Sequence, residues 1–228
     1  MGGATEPTNA GCPLMKQSVT AVLYLLFSVL YTALFSHETS FLGAAIKVAP
    51  ILLLAASAWR WADAGWRRAL TAALLFSALG DLLLALNGLM GDLFIAGLGS
   101  FLLGQILYAS VFWRHPSPDR WRRWLVLAYL PCGAVLAWQM IPASGNLALP
   151  VGLYLLGISA MITGAALTDR PLLLFAGALC FAVSDGLLAT DRFLQPVPAA
   201  GILIMGTYYL AQGLICVGAL QAPRRHAA

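Results

Sequence analysis

Asp81, Asp185 and Lys47 stand inside long apolar stretches of a 228-residue chain that is 61% hydrophobic and only 10% charged. Two carboxyls sharing a low-dielectric pocket cannot easily ionise together, so one can keep its proton as a general acid while the other serves as a base. Their titration would be coupled. Such placement is costly, about 2.5 to 3.5 kcal/mol for an aspartate at the centre of a membrane helix, and function usually accounts for it. The other acidic residues, Glu6, Glu38, Asp63, Asp92, Asp119, Asp169 and Asp191, fall in tails, loops or helix ends.

The elements that must position these charges are apolar runs over residues 18–36, 41–59, 68–86, 93–113, 123–141, 147–167, 171–190 and 199–220. Each is close to the roughly 20 residues that carry a helix across about 30 Å of hydrocarbon. The predicted fold class is an all-α, polytopic membrane bundle of eight transmembrane helices over 18–220. A disordered cytoplasmic tail over 1–17 precedes it, and a cytoplasmic tail over 221–228 follows. A soluble surface needs roughly a quarter of its residues charged, so a water-soluble enzyme is excluded. A cleavable signal peptide is not expected, because the first run is too long and no small-residue cleavage site follows it. Ala10-Gly11-Cys12 lacks the preceding apolar run of a lipoprotein box.

Basic residues orient the bundle. Lys16, Arg60, Arg67, Arg68, Arg114, Arg120, Arg122, Arg123, Arg170, Arg224 and Arg225 fall on one side of the alternating loops, and Arg192 alone on the other. Both termini are therefore expected to be cytoplasmic, in a bacterial cytoplasmic membrane. The net charge of +4 suits anionic lipid headgroups and requires no nucleic acid. Trp59, Trp61, Trp66, Trp113, Trp121 and Trp124 crowd the same boundaries, as interfacial tryptophans do.

In this orientation Asp81 and Asp185 lie about 8 Å from the outer boundary and Lys47 about 9 Å, at 1.5 Å per residue. Gly80-Asp81-Leu82-Leu83-Leu84-Ala85 also aligns without a gap on Ser184-Asp185-Gly186-Leu187-Leu188-Ala189, four runs later. Four spans preserve direction, which suggests two parallel four-helix repeats with their aspartates meeting at a pseudo-twofold interface.

Further polar residues lie within the runs. Gln105 with Tyr108, and Tyr209 with Gln212, sit one helical turn apart, beside Tyr208. They would orient a water or a substrate atom between carboxylates, or they would be interhelical hydrogen bonds that hold the bundle. Lys47 has three readings: a functional partner of the aspartates, a buried structural ion pair, or a side chain snorkelling to the interface. Pro50, one turn on, loosens its helix. Tyr24 and Tyr31 read as structural. His37, His115 and His226 lie in loops or a tail, and Cys12, Cys132, Cys180 and Cys216 lack metal-ligand spacing. No metal or organic cofactor is expected. No phosphate loop or nucleophile elbow is present, and acidic chemistry remains.

Several strings together resemble the YhhN-like lysoplasmalogenases: Lys47 with Pro50, Gly80-Asp81-Leu82-Leu83, the series Phe94, Gly97, Phe101, Gly104, Gln105 and Tyr108, Ser184-Asp185, and Tyr208-Tyr209-Leu210-Ala211-Gln212. The resemblance covers essentially all of residues 18–220. It implies hydrolysis of the sn-1 vinyl ether bond of a lysoplasmalogen, giving a fatty aldehyde and glycerophosphoethanolamine or glycerophosphocholine. Asp81 and Asp185 would share the acid and base roles, and Lys47 would hold one of them ionised or bind the lipid phosphate. The implied partners are a lysophospholipid substrate and the bilayer. Histidine would be expected where this chain has Gln105, which leaves that position at most an orienting role. A different class also uses paired intramembrane carboxylates, the proton-coupled transporters of small molecules or lipids.

Overall fold

Leucine- and alanine-rich runs with no strand-like alternation favour helix, and helix is what forms. A computed structural model describes residues 13–36, 40–117 and 119–221. The features at Ala10-Gly11-Cys12, Glu6, His37, Glu38, Arg224, Arg225 and His226 lie outside the described residues. Among the described residues there are eight α-helices: α1 (Pro13–Leu34), α2 (Phe41–Trp61), α3 (Ala64–Leu86), α4 (Phe94–Trp113), α5 (Arg123–Ala143), α6 (Ala148–Leu167), α7 (Leu172–Phe193) and α8 (Ala200–Leu220). Single 3₁₀ turns at Arg120–Arg122 and Gly145–Leu147 lead into α5 and α6. Seven of these helices, α2 to α8, are long and apolar enough to cross a membrane, and α1 carries a shorter apolar stretch over Ser18–Leu34. The bounds fall near the expected runs, with α1 starting five residues earlier, inside the stretch expected as tail, α3 starting four earlier and α7 ending three later than the apolar run alone.

Sequential pairs carry much of the packing: α2 on α3, α3 on α4 and α7 on α8, while α4 also packs on α6. The α7–α8 seam is tight because Gly177 has no side chain. A Cβ there would stand 2.7 Å from the Ile215 amide nitrogen and 2.9 Å from the Ala211 carbonyl oxygen. Small residues of this kind let membrane helices approach backbone to backbone. At the other extreme, α5 packs only from the outside, on α6 and α7, and Met140 is its one buried residue. Trp124 and Trp138, 71% and 82% exposed, project from it. An apolar helix so little covered by protein is covered by lipid.

One end of the bundle is closed by arginines. Arg170 lies with its guanidinium 4.5 Å above the Trp66 ring, pairs with Asp63 at 2.5 Å and donates to the Gln221 carbonyl. Arg122 donates to the carbonyls of Ala166, Thr168 and Arg170 at 3.2, 2.6 and 2.9 Å. Both side chains are buried, so two residues counted among the charges of one side's loops also serve as clamps between helix ends. Backbone bonds from Ser117 to Leu167 and from Asp169 to His115 join the same loops.

Candidate active site

Asp81 sits on α3 at the end of the bundle opposite the arginine clamp, next to Gly80, whose missing side chain admits the Phe101 ring of α4. Its Oδ1 is 3.6 Å from Lys47 Nζ of α2. Its Oδ2 accepts from the Tyr208 hydroxyl at 2.7 Å. Gln212 Nε2 donates to the Tyr208 hydroxyl at 3.3 Å, and the Tyr108 hydroxyl donates to Gln212 Oε1 at 2.7 Å. One directional chain of donors thus runs from α4 through α8 to the carboxylate on α3. Every member is buried, Asp81 at 2% exposure and Lys47 at 8%. Lys47 does not snorkel, because its ammonium turns inward to the aspartate.

Asp185 on α7 has a different setting. The Tyr154 hydroxyl of α6 and Gln105 Nε2 of α4 both donate to its Oδ2, at 2.6 and 3.3 Å. Among the described residues no cation lies within ion-pair distance of Asp185, and its Oδ1 accepts no hydrogen bond. Asp185 and Tyr154 line an apolar cavity between α4, α5, α6 and α7, with about 860 Å³ of atom-free space, part of it open to the outside. Phe101, Leu155 and Leu188 form part of its wall, and Tyr129 and Ser159, joined hydroxyl to hydroxyl at 3.0 Å, supply further polarity. Asp81 does not line this cavity. Beside Asp81, the Tyr208 ring meets Phe101 and Phe181 edge to face, the three with centroids 5.8 to 6.4 Å apart, and Phe101 also lines the cavity that Asp185 borders.

The YhhN family matches residues 42–219. The chain belongs to that family. Across 97% of its length it is 32% identical to the human protein named lysoplasmalogenase TMEM86B, covering 96% of that protein. It is 36% identical to the lysoplasmalogenase of Mycobacterium bovis over 76% of this chain and 69% of that one. It is 34% identical to the Sus scrofa lysoplasmalogenase TMEM86B over 82% and 79%. No solved structure matches the chain.

In this YhhN-family chain the polar residues singled out by sequence divide into two groups. Lys47, Tyr108, Tyr208 and Gln212 gather on Asp81, and Gln105 joins Asp185. Tyr209 stands apart: its hydroxyl donates to the Lys47 carbonyl at 2.9 Å, its own carbonyl accepts from Tyr24, and its side chain borders a different groove, between α1, α2 and α8. Tyr154 was missed. The signal that would have found it is depth: it lies six residues into α6, about 9 Å at 1.5 Å per residue, the level of Lys47 and Asp81. Among the described residues, no three His, Cys, Asp or Glu side chains gather as a metal site would require.

Proposed function

We infer that the chain is a lysoplasmalogenase, a membrane hydrolase that cleaves the sn-1 vinyl ether of a lysoplasmalogen to a fatty aldehyde and a glycerophosphoethanolamine or glycerophosphocholine. Its YhhN membership and its lysoplasmalogenase relatives, matched along most of the chain, support that activity. The observation that carries the site is a carboxyl, Asp185, held by two donors on one oxygen with the other oxygen free, in the wall of an apolar cavity.

In our reading the free Oδ1 carries the proton. It passes to the β-carbon of the vinyl ether, the C=C π pair forms the new C–H bond, and an oxocarbenium ion is left on the carbon that bears the ether oxygen. The Asp185 carboxylate so formed lies against that cation and stabilises it. Water then adds to the cationic carbon, and Asp185 takes the water's proton, which restores the acid and gives a hemiacetal. Transfer of the hemiacetal hydroxyl proton to the glycerol oxygen, with cleavage of that C–O bond, releases aldehyde and the glycerophosphodiester. Tyr154 and Gln105 hold the carboxyl in place throughout. Asp81, paired with Lys47 and outside the cavity lining, acts in this scheme as a positioning residue that fixes Tyr208 against Phe101 of the cavity wall. A substrate tail can occupy the apolar cavity while the headgroup stays at the interface. Termini on the cytoplasmic side, supported by the distribution of arginines, would place this site toward the outer leaflet.

The decisive measurement is aldehyde release from lysoplasmenylethanolamine by purified protein in nanodiscs. Asp185→Asn, checked for an unchanged elution profile and melting temperature, should lose about a thousandfold or more, since acid and base functions fall together. An Asp185→Asn enzyme within tenfold of wild type would sink the assignment. Proton-coupled uptake into vesicles with no aldehyde would instead favour a transporter.

A further inference from the structure

Seven residues beyond Asp185 on α7, Arg192 borders the same cavity. Residues i and i+7 share a helix face, and the two positions are about 10 Å apart along the axis at 1.5 Å per residue. The Arg192 guanidinium carbon lies 4.9 Å from the centroid of Phe94, which also lines the cavity, and Phe94 is braced edge-on by Phe193 at 6.2 Å. The side chain is exposed, and among the described residues no carboxylate lies within 4 Å of it. The three buried cations are committed: Lys47 to Asp81, Arg170 to Asp63, and Arg122 to three carbonyls. A guanidinium stacked on an aromatic face at the edge of an apolar cavity, with a carboxyl two turns deeper, is a ready receptor for a phosphate.

We propose that Arg192 is the phosphate anchor of the site: it binds the headgroup phosphodiester of the lysophospholipid at the mouth and thereby sets which bond of the lipid reaches Asp185. The proposal rests on the enzyme reading above and adds the element that fixes register. From phosphorus to the β-carbon of an sn-1 alkenyl ether is about seven bonds, roughly 9 Å when extended at ordinary bond lengths. That span matches the rise from Arg192 to Asp185, so a phosphate held by the guanidinium leaves the scissile double bond beside the carboxyl and the rest of the tail in the apolar part of the cavity. Anchoring one end of a flexible lipid at a fixed distance from the acid is how remote binding contributes to the reaction. Arg192 also stands in the last turn of α7, where any cation favours the helix dipole. A purely structural role of that kind would affect all ligands alike.

The test uses wild-type protein, Arg192→Ala and Arg192→Lys in nanodiscs. Radiolabelled 1-O-hexadecyl-glycerophosphoethanolamine, whose saturated ether resists hydrolysis, is compared with 1-O-hexadecylglycerol, which has the same tail and no phosphate. The expected result is a loss of about tenfold or more in affinity for the phospholipid in Arg192→Ala, with hexadecylglycerol unchanged and partial recovery in Arg192→Lys. Equal losses for both ligands, or no loss, would overturn the proposal. Displacement of the label by water-soluble glycerophosphoethanolamine as readily as by the lysolipid would show a soluble-phosphate site and overturn the headgroup assignment. Aldehyde release from lysoplasmenylethanolamine, measured on the same samples, separates the two readings. Arg192-dependent binding without aldehyde leaves the anchor and removes the enzyme; aldehyde from a protein whose affinity ignores Arg192 does the reverse.

Discussion

The Tyr108 hydroxyl donates to Gln212 Oε1 at 2.7 Å, and the two residues are 104 positions apart in the chain, the same offset that carries Asp81 to Asp185. Where two parallel repeats face each other across a pseudo-twofold axis, equivalent positions meet on that axis, and a contact between residues matched by the repeat offset is what such an axis produces. The two-repeat reading draws its support from this pair. It predicts that exchanging the partners is tolerated better than changing one of them. Tyr108→Gln alone should lower stability by about 1 kcal/mol, the order of a membrane interhelical hydrogen bond, seen as a reduced melting temperature in detergent. Tyr108→Gln with Gln212→Tyr should recover part of that loss. If the double variant is as unstable as the sum of the singles, the axis does not pass there.

The Lys47–Asp81 pair makes a second prediction. Removing one partner of a buried ion pair strands the other charge, at a cost of about 3 to 5 kcal/mol, whereas replacing both by apolar residues of similar volume is close to neutral. Lys47→Met should therefore express poorly and melt early, and Lys47→Met with Asp81→Leu should be the more stable protein. Because Asp81 is assigned a positioning role, the double variant should keep aldehyde release reduced by about ten- to a hundredfold, while Asp185→Asn loses about a thousandfold or more. Complete loss in a well-folded double variant would return Asp81 to the reacting atoms.

Hydropathy alone made the helices legible, because each run is apolar and close to the membrane-spanning length. Their neighbours were not legible. Helices that are apolar all round carry no stripe to say which face turns inward, so nothing in the sequence of α5 marks it as the outer helix. Depth allowed Lys47 to meet an aspartate, since it stands at the level of both, but the choice of Asp81 over Asp185 was not legible. That Asp185 borders the cavity and Asp81 does not could not be read, because hydropathy and repeat offset say nothing of which side chain reaches it. Tyr154 looked like one more aromatic in an apolar run, and Arg192 like a loop charge. Each gains meaning only from Asp185.

Gly177 offers a test of the α7–α8 seam. A methyl group at this position would overlap backbone atoms of α8, the Ile215 nitrogen at 2.7 Å and the Ala211 oxygen at 2.9 Å, and backbone cannot swing aside as a side chain can. Gly177→Ala should cost about 1 to 3 kcal/mol, the range for overpacking, measured as the midpoint of thermal unfolding. Gly186→Ala, on the same helix with nothing within 4 Å of the added carbon, is the control and should be neutral in stability. A neutral Gly177→Ala would mean the helices are further apart than described.

Arg122 makes three hydrogen bonds to carbonyls of the last turn of α6 and the α6–α7 connection. A lysine carries the same charge, but its single ammonium lacks the planar fork that reaches several acceptors at once. Arg122→Lys should therefore lower the melting temperature by the equivalent of about 1 to 3 kcal/mol, the cost of leaving buried acceptors unpaired. Below its own melting temperature it should leave KM and kcat for lysoplasmenylethanolamine unchanged, because the clamp is at the far end of the bundle from Asp185. A changed KM with unchanged stability would contradict a structural role.

Asp185 Oδ2 receives both Tyr154 and Gln105, and removing either donor should show which one aligns the carboxyl. Tyr154 is nearer, 2.6 Å against 3.3 Å, and its ring also lines the cavity, so Tyr154→Phe retains the wall and removes only the hydroxyl. Hydrogen bonds to an ionised group are worth about 1.5 to 3 kcal/mol, and the scheme ionises Asp185 only once the proton has left. The bond then strengthens toward the transition state, and its loss should appear in kcat more than in KM. Tyr154→Phe should thus lower kcat by about ten- to a hundredfold with KM within threefold, and Gln105→Met should lower it less. Gln105→His, which restores a ring N–H donor at the position, should lie above Gln105→Met. If Tyr154→Phe instead raises KM and spares kcat, the tyrosine binds the lipid and does not orient the acid, and Asp185 is held by something other than the two donors seen here.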